Sequence, residues 1–390
     1  MAQKEIKAFT GTDSAAYAMK QINPDVVAAY PITPQTATVQ TFSSYVADGL
    51  VDTELVTVES EHSAMSSVVG AAAAGARSMT ATSSAGLALM AEIVGVASGL
   101  RLPIVMHLVN RALSAPINIH CDHGDLYLVK DLGWIQMFSE NPQEVYDHTF
   151  IAMRVAEHPD VNLPAMINQD GFITSHAVER VEVLEDAIIQ KFIGSKTPHN
   201  HLLDLDNPVT VGPLQLQDYY FETQKQRADA METARKIIPQ VEAELTKLTG
   251  RTYGWLESYQ LEDAEVAIVV ANSTAGTTKT VVDKLRKQGK KVGLLKLRYL
   301  RPFPAEQIAE ALSHVERTCV MERNIAYGAE GGILFNEVAS ALYVRSGQTK
   351  LQSVLFGMGG RDIGPSDIES IYNGLLEGDE TLSKMVGVRE

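Results

Sequence analysis

The stretch Ser78–Val109, SMTATSSAGLALMAEIVGVASGLRLPIVMHLV, holds a strand, a helix and a second strand in succession. Its ends, Ser78–Thr82 and Pro103–Val109, are short runs of the kind that pack in a sheet. Between them Leu87–Ser98 is too long, and too poor in β-branched residues, for a strand, and reads as a helix. Strand, helix, strand is the unit of a parallel sheet with crossover helices. The same alternation runs through Val26–Tyr30, Glu54–Val58, Trp134–Phe138 and Leu163–Ile167. The almost uncharged run Ser63–Ala76 is expected to be a buried helix within it. The first half of the chain is therefore α/β, a doubly wound parallel-sheet domain.

Beyond it the period fails. Lys191–Pro213 accumulates His, Asn, Pro and Asp without a repeat, as irregular surface connections do. Glu222–Thr249 then carries a helical stripe, Met231, Ala234, Ile238, Val241 and Leu245, which Pro239 is expected to kink or break. This segment is expected to bridge domains. A second alternation, Val266–Ala271, Lys291–Leu297, Thr318–Met321 and Leu351–Phe356, predicts a smaller α/β domain. The expected units are residues 1–250 and 260–390.

A length of 390 residues supports two or three self-sufficient cores. The formal charge of −15 opposes nucleic acid and anionic membrane as partners. The densest basic stretch, Lys279 to Arg301, coincides with a helix-then-strand pattern and is expected to be a solvated face. Two cysteines, Cys121 and Cys319, build neither a disulfide framework nor a cysteine-held cluster. Met1–Thr10 has no apolar core of signal length, and no run approaches the roughly 20 residues that span a bilayer, so a cytoplasmic location is expected.

In open parallel sheets, ligands sit beyond the carboxyl ends of the strands. That rule selects Tyr30-Pro31-Ile32-Thr33-Pro34, Glu59-Ser60-Glu61-His62-Ser63, Ser83-Ser84-Ala85-Gly86, Asn110-Arg111-Ala112-Leu113 and Asn168-Gln169-Asp170-Gly171. Prolines on both sides of Ile32 and Thr33 restrict that turn; Thr33 either presents its hydroxyl to a ligand or caps the next helix. Glu59 or Glu61 either complements a helix dipole or is buried against a ligand, where it can share a proton with a basic ring nitrogen. Arg111 offers a fork of donors to a carboxylate, unless Asp122 or Asp125 takes it. The scattered histidines His62, His107, His120 and His123 show no metal-ligand spacing.

Tyr30-Pro31-Ile32-Thr33-Pro34, Glu59-Ser60-Glu61-His62-Ser63-Ala64, Asn110-Arg111-Ala112-Leu113-Ser114-Ala115-Pro116-Ile117-Asn118 and Gly133-Trp134-Ile135-Gln136, with Arg301-Pro302-Phe303-Pro304 and Glu322-Arg323, closely resemble alpha subunits of pyruvate:ferredoxin oxidoreductases, in the 2-oxoacid:ferredoxin oxidoreductase family. The likeness covers nearly the whole chain. It implies a pyrimidine-binding domain for thiamine diphosphate, followed by a transketolase C-terminal-like domain. It further implies that Glu61 bonds the pyrimidine nitrogen, that Pro31, Ile32 and Thr33 line the cofactor, and that Thr33 and Arg111 meet the pyruvate carbonyl and carboxylate. No metal ligand is carried over: Asp170-Gly171 lacks the preceding glycine of the magnesium–diphosphate motif and reads as a strand-end turn.

By the same resemblance, beta, gamma and delta subunits complete the enzyme. They are expected to hold magnesium, the diphosphate, 4Fe-4S iron-sulfur clusters and most of the coenzyme A site, and to pass electrons to ferredoxin. At His120 and Cys121 the chain departs from the aromatic and polar residues that relatives often carry. Alternatives are a branched-chain or 2-oxobutyrate relative, a 2-oxoacid dehydrogenase E1 beta-type subunit, or a non-catalytic assembly subunit.

Overall fold

A computed structural model describes residues 4–198, 200–381 and 383–389; residues 1 and 390, the outer limits expected for the two units, lie outside them. The first half runs β1 (Lys4–Phe9), α1 (Gly11–Ile22), β2 (Val26–Ala29), α2 (Thr36–Ala47), β3 (Glu54–Thr57), α3 (Glu61–Ala73), β4 (Ser78–Thr82), α4 (Ser84–Gly99) and β5 (Ile104–Asn110). It continues with α5 (Gly124–Leu128), β6 (Ile135–Ser139), α6 (Pro142–Ala156), β7 (Ala165–Asp170), β8 (Glu179–Leu184), α7 (Asp186–Ile193) and α8 (Tyr220–Thr249). The remainder is β9 (Leu256–Tyr259), β10 (Val266–Ala271), α9 (Thr274–Lys287), β11 (Val292–Leu297), β12 (Tyr299–Arg301), α10 (Ala305–Ala311), β13 (Arg317–Glu322), α11 (Ile333–Val344), β14 (Lys350–Leu355), α12 (Pro365–Glu377) and β15 (Ser383–Met385).

Six strands pair in parallel in the order β6-β7-β5-β4-β2-β3, and β12 closes the β6 edge antiparallel. Alternate residues of a strand face opposite sides, and β5 shows the consequence. Val105 joins the core under α1, α2 and α6, whereas Ile104 and Met106 join the core under α3 and α4. Helices thus cover both faces, the doubly wound arrangement. A second sheet, ordered β15-β14-β13-β10-β11-β9, is parallel except for β9. Its residues Ala267, Val269, Leu295 and Leu297 share the core that holds Met65, Leu87 and Met90 of the first sheet's helices. None of the described helices is long and apolar enough to cross a membrane.

Four expectations need correction. Pro239 does not break α8, which continues to Thr249. Pro239 lies on the exposed side, where water can bond the carbonyl that a proline leaves free, while Ala234, Ile238, Val241 and Leu245 anchor the other side. The uncharged helix α3 is only half-buried: Ala64, Met65, Val68 and Ala72 face the core, but Gly70 is exposed and Ser63, Ser66 and Ser67 are partly so.

The basic stretch is not wholly a solvated face. Lys284 and Lys291 are exposed, but Lys296 on β11 is 1% exposed and bonds to Glu140, to Glu144 Oε1 at 2.5 Å and to Glu257 Oε2 at 3.4 Å. Burial alone would raise the Glu144 carboxyl, yet the charges of Lys296 and Arg298 hold it well below the usual range. Finally, Tyr299–Arg301, expected within the second unit, pairs with β6 of the first sheet. The Tyr299 hydroxyl donates to Glu242 on α8 at 2.8 Å, so three segments distant in sequence lock together there.

Candidate functional site

Parallel strands aim all their carboxyl ends one way, and here the ends of both sheets meet. Asn272 Nδ2 and Ser273 N, just past β10, donate to Asp170 at the end of β7 at 3.0 and 3.2 Å. His123 N donates to the Arg323 carbonyl past β13 at 2.9 Å, and Gly360 N, past β14, donates to the Cys121 carbonyl at 3.0 Å. The loops after β5 and β7 therefore stand on a floor contributed by the second sheet.

Glu61 is the first residue of α3. Ser60 caps that helix, its hydroxyl accepting from Ser63 N at 3.2 Å. The Glu61 side chain is 8% exposed, and among the described residues no donor or cation bonds its carboxylate. Its near neighbour Glu59 is exposed and bonded to the Ser63 hydroxyl. Across from Glu61, a Cβ on Gly86 would lie 2.8 Å from Glu61 Oε1 and 2.5 Å from Thr82 Oγ1, so only glycine leaves this space. Thr82 Oγ1 is itself buried without a partner. A buried carboxylate lacking a donor, beside an orphaned hydroxyl, fits a heteroaromatic ring that brings its own hydrogen-bonding atoms.

Thr33 sits in the turn between β2 and α2 and is exposed, with Pro31 exposed and Ile32 half-buried beside it. It does not cap α2, whose preceding residue is Gln35; the Gln35 side chain instead accepts from Ile32 N at 3.2 Å. Arg111 follows β5 and is 6% exposed. Its Nη1 donates to the Thr33 carbonyl at 2.8 Å and its Nε to the Asn118 carbonyl at 3.1 Å. Neither Asp122 nor Asp125 pairs with the guanidinium. The structure thus brings Arg111 and Thr33 together, whereas Glu61 stands at the start of α3 and is hydrogen-bonded to neither.

His120 is exposed, its ring centroid 5.0 Å from that of Phe172. Cys121 is fully buried, and burial followed by the Asp170 charge pushes its thiol well above the ordinary range, which makes it a poor nucleophile. Cys121, His123 and Asp170 cluster closely enough to suggest a metal. The Asp170 carboxylate, however, already accepts from His123 Nε2 at 2.8 Å, Asn272 and Ser273, and lies 3.7 Å from Arg323 Nε. Burial would raise this carboxyl, but His123 and Arg323 hold it well below the usual carboxylate range. With a guanidinium in the cationic position, the cluster is an interlock between sheets. Asp170-Gly171 is a strand-end turn, as expected, and this interlock as well; nothing in the sequence marked Asn272 and Ser273, about a hundred residues downstream, as its partners.

The glycine gap gives a direct test. Gly86→Ala should weaken thiamine diphosphate binding to the assembled complex roughly tenfold to a hundredfold, from an overpacking cost of about 1–3 kcal/mol. Thermal stability should fall as well, because the new Cβ presses on Thr82 and Glu61 whether or not the cofactor is bound. Cofactor titration by calorimetry reads this, and an unchanged affinity would separate Gly86 from the cofactor.

The family model for pyruvate flavodoxin/ferredoxin oxidoreductase, thiamine diphosphate-binding, matches residues 17–243, and that for pyruvate:ferredoxin oxidoreductase core domain II matches residues 264–368. The chain is 54% identical to pyruvate synthase subunit PorA of Thermotoga maritima, covering 98% of each, and 46% identical to the PorA of Methanocaldococcus jannaschii, covering 99% of each. It is 42% identical to ketoisovalerate oxidoreductase subunit VorA of Pyrococcus abyssi over 94% of this chain and 92% of that one. Among solved structures, a 2-oxoglutarate:ferredoxin oxidoreductase from Magnetococcus marinus superposes with a TM-score of 0.70 at 20% identity, covering 96% of this chain and 65% of that one. A split-gene transketolase does so at 0.57 and 13% identity, covering 95% of this chain and 99% of that one. These two share the fold, the thiamine-domain-plus-transketolase-like architecture expected from the sequence. The chain belongs to the pyruvate flavodoxin/ferredoxin oxidoreductase family.

Proposed function

We propose that the chain is the pyrimidine-side subunit of a pyruvate:ferredoxin oxidoreductase, a pyruvate synthase. Its complex converts pyruvate and coenzyme A to acetyl-CoA and carbon dioxide, or runs the reverse, with electrons exchanged with ferredoxin. Near-full-length likeness to subunits named pyruvate synthase carries this reading. The seven-stranded sheet, β12 included, and its helices form the cofactor-facing unit, and the six-stranded sheet from β9 onward forms the transketolase-like unit beneath it.

When bound, thiamine diphosphate supplies the electron sink that lets the pyruvate carboxyl carbon leave as carbon dioxide. Glu61, whose carboxylate lacks a protein donor, holds or releases a proton at the pyrimidine nitrogen. Arg111 pairs with the substrate carboxylate through the part of its fork not given to the Thr33 and Asn118 carbonyls. The Thr33 hydroxyl, on the same tied turn as Pro31 and Ile32, meets the 2-oxo group. Beta, gamma and delta subunits supply the diphosphate and magnesium site, the iron-sulfur clusters and most of the coenzyme A site. The outer faces of α3 and α4, carrying Gly70, Leu89 (52% exposed) and Val96 (39% exposed), start beside Glu61 and suit the beta subunit's approach.

The VorA likeness at 42% supports a second reading, a branched-chain 2-oxo acid as substrate. Purifying the native complex and assaying coenzyme A-dependent ferredoxin reduction with individual 2-oxo acids decides between them. Pyruvate should give the highest kcat/KM; a preference of more than tenfold for 3-methyl-2-oxobutanoate would replace it with the second reading.

A further inference from the structure

Asp125 lies in the first turn of α5 and is fully buried. Its Oδ1 accepts from Asn110 Nδ2 at 3.0 Å and Leu126 N at 2.8 Å, and its Oδ2 from Ser84 N at 2.9 Å and Arg111 N at 3.0 Å. Four donors converge on one carboxylate with no cation bonded to it among the described residues. Only an acceptor-only group satisfies such a set: an asparagine of the same shape would turn an NH2 toward two other N–H donors. Burial pushes the Asp125 carboxyl up to about 6, and the four bonds pull against that rise by favouring the carboxylate.

Two of the donors are the backbone amides of the loops that carry the proposed chemistry. Arg111 N fixes where the guanidinium leaves β5. Ser84 N fixes the start of α4, two residues before the Gly86 that lies against Glu61. Ser84 has φ +46°, a left-handed conformation unusual for a residue with a side chain, and its hydroxyl donates to the Ala112 carbonyl. The ends of β4 and β5 are thus tied by the Asp125 carboxylate, by the Ser84 hydroxyl and by the Ser83 hydroxyl, which donates to the Val109 carbonyl at 2.7 Å.

We propose that Asp125 is a positioning residue that sets the loop bearing Arg111 against the α4 start bearing Gly86, and so fixes the spacing between the substrate-carboxylate side and the Glu61 side of the site. This rests on the roles given above to Arg111 and Glu61. It assigns Asp125 no contact with substrate or cofactor.

The test uses the assembled complex, with rates expressed per thiamine-loaded site so that partial assembly does not masquerade as lost activity. Asp125→Asn should raise the pyruvate KM about tenfold and lower kcat about tenfold, with thiamine diphosphate affinity changed less. A residue that merely stabilises the fold would lower the melting temperature and the number of loaded sites, leaving KM and kcat per site unchanged; that result overturns the proposal. Should Asp125→Asn fail to assemble, Asn110→Ala, which removes one donor only, decides: a KM rise of a few-fold supports the proposal, and an unchanged KM overturns it.

Comparison with Arg111→Met separates this inference from the reading beneath it. If Arg111→Met leaves the pyruvate KM unchanged, the role of Arg111 fails, whatever Asp125 does. If Arg111→Met raises KM and Asp125→Asn does not, the Asp125 proposal alone fails. Acting through Arg111, Asp125→Asn should add little to the KM of the Arg111→Met background, and a fully additive effect overturns that route.

Discussion

Glu61→Gln in the assembled complex should lose at least about a hundredfold in the rate of carbon dioxide release from pyruvate, the scale of a lost acid–base group. The substitution preserves volume and burial, so the gap at Gly86 stays filled to the same degree. What it removes is the capacity to hold or release a proton. An amide can still hydrogen-bond a ring nitrogen, so cofactor affinity should fall far less than turnover. The discriminating measurement is therefore a pair: decarboxylation under saturating pyruvate and coenzyme A, and thiamine diphosphate titration of the same preparation. Near-normal turnover would remove Glu61 from the mechanism. Equal losses in both would make it a binding residue only. Glu59→Gln is the control, because that exposed side chain, bonded only to the Ser63 hydroxyl, should be silent in both assays.

Ten of the described strands were legible because their burial is periodic or continuous; β1, β8, β9, β12 and β15 were not. Ser78–Thr82 and Val266–Ala271 are buried along their whole length, so apolar and small residues mark them without ambiguity. The site's first members were legible for a related reason: they sit at strand ends, where topology alone aims them. Long-range partners were not legible. β12 is three residues long and joins a sheet whose other strands lie more than a hundred residues earlier, with no local pattern to announce it. The Lys296 cluster is similar, since a lysine on a strand in a basic stretch looks solvated until Glu140, Glu144 and Glu257 are brought to it. Asp125 was visible only as a potential partner for the Arg111 guanidinium, yet it bonds the Arg111 backbone amide instead, a choice that depends on where the α5 turn docks. The uncharged α3 misled differently. Its serines and small residues carry no charge, yet they leave one side of the helix partly open.

Arg111→Met should raise the pyruvate KM by roughly ten- to a hundredfold or more, the cost of losing a charge-assisted hydrogen bond worth about 1.5–3 kcal/mol. The guanidinium is nearly buried and has no acidic partner among the described residues, only the carbonyls of Thr33 and Asn118. Two neutral acceptors leave its charge uncompensated, and a carboxylate ligand supplies the missing anion. The same two bonds also tie the Thr33 turn to the loop after β5, so the substitution frees both loops as well as removing charge. Arg111→Lys separates the effects: it keeps the charge but cannot reach both carbonyls and a substrate as a planar fork does. If charge dominates, the lysine variant should recover most of the KM; if loop tethering dominates, lysine and methionine should be equally impaired, with thiamine diphosphate affinity falling in both. Unchanged pyruvate kinetics in the methionine variant would reject Arg111 as the carboxylate partner and leave it a structural strut between two loops.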